Sequence, residues 1–216
     1  MFINAYFDQV YLINLDSRIN RLEQADRELK NAKVDYLRVS GIVPTHIKLA
    51  YHRHFEKRGE KYTLGACGCK ATHLKIIHNA KKKGYKRVLI IEDDIQVNKD
   101  ANQVVENAVK QMNDNDCVWD MLYLGGRYPH GGFYEDGSRW FQEFVGMNVL
   151  KLKGAMTTLA YGIAENMYDF VLENALNSGF EIDIFYYRMH QHQKQFGYFG
   201  VIPPVINPTE EGSDIK

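Results

Sequence analysis

Three acidic side chains, Glu92, Asp93 and Asp94, follow the aliphatic run Val88 to Ile91 without a break in "VLIIEDDIQV". Carboxylates crowded in this way raise one another's pKa unless a cation intervenes. In an extended segment, residues two apart face the same side, so Glu92 and Asp94 are expected to project together while Asp93 points to the other. Paired hard oxygens suit magnesium or manganese, which keep water and substrate phosphate in their remaining positions. Strand-end carboxylates also occur as ordinary surface groups, capping the next helix or pairing with lysines, and the triplet alone does not separate the two readings.

A further carboxylate, Asp183, sits in "FEIDIFYYRMHQH" beside Ile182, Ile184 and Phe185. Burial among such neighbours lifts a carboxyl towards the range of a general base; a helix cap or an ion pair with Arg188 is the structural alternative. His190 and His192 lie two apart, an interval that shares a face in a strand but not in a helix, and no third ligand at zinc spacing accompanies them. His73 falls inside a helical pattern, where histidine is most often packed or at the surface. Cys67, Cys69 and Cys117 are odd in number and lack CxxC spacing, so neither a disulfide framework nor a thiolate zinc site is indicated and they read as small buried residues.

The elements that must position these groups alternate. "VYLINL" (10–15) reads as a strand, followed by a helix with Ile19, Leu22, Ala25 and Leu29 on one face and Asp16 or Ser17 as its cap. "DYLRVSG", ending at Gly41, reads as a second strand. A long helix is predicted over about residues 65–83, stopped by Gly84, with Lys81, Lys82 and Lys83 opposing the negative end of its dipole. "RVLIIED" is apolar enough on both faces for the centre of a parallel sheet. A helix after Asp100 carries the stripe Val104, Val105, Ala108, Val109 and Met112. "VWDMLYLGG" and "TTLAYGIA" read as strands, "ENMYDFVLENALNSG" as a helix, and the tail as a strand and a Pro-rich stretch. Residues 125–148 look irregular or hairpin-like, and their aromatics Tyr128, Phe133, Tyr134, Trp140, Phe141 and Phe144 either cover the core or form a stacking platform for a sugar. This order implies one α/β domain with a mainly parallel sheet, helices on both faces, and a ligand beyond the carboxyl ends of the strands.

Composition narrows the classes. With 27 Lys plus Arg against 27 Asp plus Glu, no net field draws the chain to nucleic acid or an anionic membrane, so a small or locally recognised ligand is expected. The longest uninterrupted aliphatic run is far below the roughly 20 residues a bilayer requires. "MFINAYFDQV" lacks the basic region and apolar stretch of a signal peptide, which favours a cytoplasmic, reducing setting and a bacterial or viral origin.

Taken in order, these stretches resemble glycosyltransferase family 25. "VYLINLDSRINRL" is similar to the family's opening strand with Asn-Leu-Asp and two arginines, and "LGACGCKATHLKII" to its Gly-rich Gly-Cys-x-x-Ser-His helix start, with Thr72 in place of the usual serine. "VLIIEDDI", "WDMLYLGG", "TTLAYGIA", "EIDIF" and "EGSDI" match its later signatures. The resemblance implies a GT-A fold, whose nucleotide-sugar-binding half is residues 1–124 and whose acceptor-side half and tail are 125–216. It implies an inverting, manganese- or magnesium-dependent transferase moving a hexose from a nucleotide-diphosphate sugar to a glycan or other hydroxyl acceptor.

On that reading Asp94 holds the metal, Glu92 or Asp93 assists or touches the ribose, and His190 or His192 completes the metal site. Asp183 is the base. Asn14, Leu15, Asp16, Arg18, Gly41, Thr72 and His73 contact the donor, with Arg21 reaching phosphate or lying solvated. The start of the Gly-rich helix offers its free N–H groups to phosphate, and Ser213 and Asp214 close as a lid or fray. Two other readings stand beside it: a nucleotide-sugar-binding module without turnover, and a metal phosphoesterase using the same carboxylates.

Overall fold

The computed structural model describes residues 1–45, 60–133 and 137–209. In chain order the strands are β1 (Gln9–Asn14), β2 (Leu37–Ser40), β3 (Arg87–Ile91), β4 (Ile95–Val97), β5 (Met121–Arg127) and β6 (Gly131–Phe133). They continue with β7 (Arg139–Phe141), β8 (Glu143–Gly146), β9 (Val149–Lys151), β10 (Met156–Ala164), β11 (Tyr198–Val201) and β12 (Ile206–Pro208). The helices are α1 (Phe2–Tyr6), α2 (Ile19–Asn31), α3 (Glu60–Lys83), α4 (Ala101–Asp114), α5 (Tyr168–Ala175) and α6 (Ile182–His192).

Eight strands form one sheet in the order β2-β1-β3-β10-β5-β11-β9-β8. β1 pairs in parallel with β2 and β3, and β11 with β5, whereas β10 runs against β3 and β5 and β9 against β11 and β8. Only β10 and β9 are therefore reversed, and the sheet is mixed but mostly unidirectional, with helices on both faces as expected. β3 is central, yet one of its neighbours is antiparallel, which its apolar composition did not reveal.

Alternation along β3 builds two cores. Leu89 and Ile91 pack with Val10, Leu12 and the buried faces of α1, α2 and α4. Val88 and Ile90 pack with Tyr11, Tyr123 and Tyr161 and with α3, α5 and α6 on the other face. These four aliphatic side chains of β3 are fully buried, and each such burial is worth roughly 1.5–3 kcal/mol. The strand that delivers the acidic triplet is thus anchored from both sides.

Local signals hold with two exceptions. Gly84 adopts φ +68° and ends α3, its N–H bonding to Lys81 O and that of Tyr85 to Ala80 O, and the three lysines occupy the last turn. α2, however, begins after Arg18 with no side-chain cap, because Asp16 is engaged elsewhere. α3 begins at Glu60, so the Gly-rich segment lies within it.

Candidate active site

Because β1, β2, β3 and β5 share a direction, their carboxyl ends meet along one edge, and reversed β10 begins at that edge. The Glu92 N–H donates to Leu159 O of β10 at 2.9 Å, and Thr158 Oγ1 donates to Glu92 Oε1 at 2.5 Å. His73 Nε2 faces the same oxygen at 3.4 Å. Burial works to raise the Glu92 carboxyl, but His73 and Thr158 together hold it below its ordinary value. Asp94 is fixed through its main chain, its carbonyl accepting the Thr209 N–H at 2.9 Å, while its side chain is 7% exposed and Oδ1 has no hydrogen-bond partner. Burial first, then the charge of Glu92, lifts Asp94 to about 6.

Asp93 turns the other way, as strand alternation predicts. Its carboxylate accepts from Asn14 Nδ2 at 2.7 Å and lies 3.5 Å from Arg21. Asn14, almost wholly buried, also donates to Arg18 O and accepts from Arg38 Nε and Nη2 at 3.0 and 2.8 Å. Arg38 and Ser40 both donate to Asp16 Oδ1, and the Arg38 bond chiefly holds that exposed carboxyl below its ordinary value. Gly41 continues the strand pairing through its N–H to Asn14 O, and a Cβ there would lie 2.8 Å from Leu15 Cδ2. A polar rim therefore runs along the ends of β1 and β2.

Glu92 and Asp94 open on a cavity of about 600 Å³ that is also lined by Cys69, Arg127, Thr157, Thr158, Glu181 and Asp183. Asp183 lies in the first turn of α6, accepts the Ile184 N–H at 2.8 Å, and is raised by burial and then by Glu181 and Glu92. Arg188 stacks on Phe180, 4.5 Å from the ring centre. Thr157 has φ +71°, an unusual conformation for a β-branched residue, at a register shift in β10. Arg127, Thr158, Glu181, Arg38 and Ser40 had no signal in the sequence pattern, since only the chain crossing places them here.

Several expected contacts are corrected. The Gly65 to His73 segment is helix interior, so its N–H groups are committed to the helix rather than free for phosphate. Thr72 is buried, accepting the Ile42 N–H and donating to Gly68 O, and His73 is 0% exposed; neither lines the cavity. His190 is buried in α6 with Nδ1 accepting the Ala155 N–H at 3.2 Å and Nε2 3.4 Å from Tyr123 Oη, and burial pushes it down to about 3. It is a neutral core residue. His192 is exposed in the last turn of α6, and neither histidine belongs to the cavity that holds Asp94.

Arg18 is exposed at the start of α2. The three cysteines are half-buried and none is in a disulfide among the described residues. Tyr128 covers the core, while Phe141 and Phe144 are exposed. Tyr134, the side chains of Phe133 and Trp140, and the tail with Ser213 and Asp214 lie outside the described residues.

Fold and site together define an α/β protein with a carboxylate-lined cavity at the carboxyl edge of its sheet. The sequence model of glycosyltransferase family 25 (LPS biosynthesis protein) matches residues 7–186, and the chain belongs to that family. It is 24% identical over 232 residues to procollagen galactosyltransferase 1 of Danio rerio, covering 96% of this chain and 37% of the relative. It is 27% identical over 129 residues to the inactive glycosyltransferase 25 family member 3 of Homo sapiens, covering 55% of this chain and 22% of the relative. The chain thus spans little more than a third of the length of the longer match. Among solved structures, it is similar to A197 from STIV, with a TM-score of 0.43 and 12% identity over 89% of this chain and 80% of that one. A glycosyltransferase involved in the glycosylation of the major capsid of PBCV-1 gives a TM-score of 0.38 and 9% identity over 75% and 62%. Among the described residues no helix is long and apolar enough to cross a membrane.

Proposed function

We propose that this chain transfers a hexose, galactose or glucose, from a nucleotide-diphosphate sugar, with a uridine nucleotide favoured, to a hydroxyl of a glycan, lipooligosaccharide or hydroxylysine-type acceptor with inversion. The observation that carries the proposal is one cavity lined both by the Glu92 and Asp94 carboxylates and by Asp183. Family membership supports the same reading, and the name of the Danio rerio relative favours galactose.

The donor set fits a hard divalent cation, because Asp94 Oδ1 is a buried oxygen without a partner and Glu92 lies beside it. Manganese or magnesium held by Asp94 with Glu92 would neutralise charge on the leaving nucleoside diphosphate. Arg127 lines the same cavity and adds a fixed positive charge. Asp93 does not face this cation; it braces Asn14 and Arg21 at the end of β1. Asp16 and Ser40, with Leu15 and Arg18 near them, form the rim assigned to the nucleoside.

Asp183 accepts the proton of the acceptor hydroxyl as its oxygen bonds to the anomeric carbon and the bond from that carbon to phosphate oxygen breaks. Burial that raises the Asp183 carboxyl makes it a better base near neutral pH. Nucleoside diphosphate release measured over a panel of nucleotide sugars, with and without manganese and acceptor, tests the proposal. Release should require one donor and the cation, and Asp183→Asn should lower turnover by about 10²- to 10⁴-fold while donor affinity is kept. A second reading, a nucleotide-sugar-binding module without turnover, is favoured by the inactive relative. Tight donor binding with no release under any condition would decide for it.

A further inference from the structure

Cys69 and His73 stand four residues apart on α3 and share a face, and Glu92 reaches them from the end of β3. The thiol sulfur, a ring nitrogen and a carboxylate oxygen all lie within 4.8 Å of one another. His73 is the informative member. Its Nδ1 is 2.9 Å from Tyr161 Oη, which in turn is 3.1 Å from Tyr186 Oη. Its Nε2 is buried, has no hydrogen-bond partner, and faces Glu92 Oε1 at 3.4 Å.

The Tyr161 hydroxyl serves either tautomer of His73: with Nε2 protonated the ring donates towards Glu92 and lowers its carboxyl, and with Nδ1 protonated Nε2 turns a lone pair towards the carboxylate, a pair of acceptors that a cation between them satisfies. An outer hydroxyl fixing the remote ring nitrogen is also how metal-bound histidines are oriented. Thr158 Oγ1 on Glu92 Oε1 gives the carboxylate the same kind of support.

We propose that Cys69, His73 and Glu92 form a site for a borderline-soft transition metal such as Zn²⁺, which shares Glu92 with the hard-cation position but does not use Asp94. Thiolate and imidazole select such a metal, whereas an all-oxygen set suits magnesium or manganese. Three ligands come from the protein, and because Cys69 and Glu92 line the cavity, the fourth position opens to water or a small ligand there. Coordination sends the Sγ proton of Cys69 to solvent. The site stands on its own geometry and does not depend on sugar transfer.

Titration of the reduced, intact chain with Co²⁺ tests it. One equivalent should produce a thiolate-to-cobalt charge-transfer band with tetrahedral visible bands, both removed by Zn²⁺. Cys69→Ser and His73→Ala should bind at least ~100-fold more weakly, given that losing even a supporting partner costs a metal site 10- to 100-fold. Cys67→Ser and Asp94→Asn should keep the band. Absence of the band in the wild type, its survival in Cys69→Ser, or its loss in Asp94→Asn overturns the proposal. Should Cys69→Ser fail to fold, alkylation of the wild type decides. Zn²⁺ should protect Cys69 but not Cys67 from iodoacetamide in a peptide map, and equal labelling of Cys69 with and without Zn²⁺ counts against the site.

Discussion

Asp94 is a carboxylate held where its charge is disfavoured, raised from 3.8 to about 6 by burial and by Glu92. A carboxyl whose folded pKa lies above its unfolded value favours the fold where it is protonated, and that advantage is lost as pH rises from the unfolded value through about 6. By pH 8 the cost reaches about 3 kcal/mol, since each tenfold change in proton affinity is worth about 1.4 kcal/mol. Asp94→Asn is therefore expected to make the metal-free protein about 1–3 kcal/mol more stable in urea unfolding at pH 8 and to change it little near pH 4. A variant no more stable at pH 8 would remove the desolvation account. The same variant should lose cation-dependent turnover, and at subsaturating manganese wild-type turnover should fall as pH drops through about 6, because protons then compete with the cation for the Asp94 carboxylate. Strand alternation made the shared direction of Glu92 and Asp94 legible beforehand. The partners Thr158 and Arg127 were not, since they come from strands whose direction and neighbours no local pattern encodes. His190 misled for a related reason: a histidine's spacing says nothing of whether its nitrogens are already spent on Ala155 and Tyr123.

Among the elements, α3 shows what a periodicity reading misses. Its apolar face made the interior evident, but the first turns, Glu60 to Leu64, carry little apolar signal, so the Gly-rich segment looked like a start. The glycine at 68 has a different purpose. A Cβ there would lie 2.2 Å from Ile42 O and 2.9 Å from Pro44 Cδ, so α3 rests directly on the backbone leaving β2. Thr72 pins the same backbone by accepting the Ile42 N–H at 2.8 Å. Gly68→Ala thus sets about 1 kcal/mol of helix propensity against an overlap with main chain that cannot rotate away. Overpacking of this kind costs about 1–3 kcal/mol or more. The variant should be less stable than wild type in thermal unfolding; an equal or higher melting temperature would mean that the 42–44 segment yields freely. β10 is the other element whose placement was hidden. "TTLAYGIA" announced a strand, but not that it enters between β3 and β5 in reverse, and that reversal is what brings Thr157 and Thr158 to the carboxyl edge.

At the scale of the whole molecule, the site exists only when the first half of the chain, carrying the triplet, meets α6 from the second half around one cavity. Neither half alone contains both Asp94 and Asp183, so donor binding should report on the assembled fold. A ligand that binds only the native state stabilises it by mass action, about 2.7 kcal/mol at a hundredfold excess over its dissociation constant. For a domain of this size, each kcal/mol raises the melting temperature by roughly 2–4 °C, so a cognate nucleotide sugar with manganese should raise it by about 5–10 °C. Manganese alone should do much less, because the unpartnered Asp94 oxygen and Glu92 supply few of the six ligands such an ion prefers and the diphosphate completes the set. Asp94→Asn should abolish the joint shift, whereas Asp183→Asn, which alters the base but not the cation, should retain it. A shift of equal size in Asp94→Asn would place the diphosphate away from the end of β3 and remove the physical basis for cation-assisted departure.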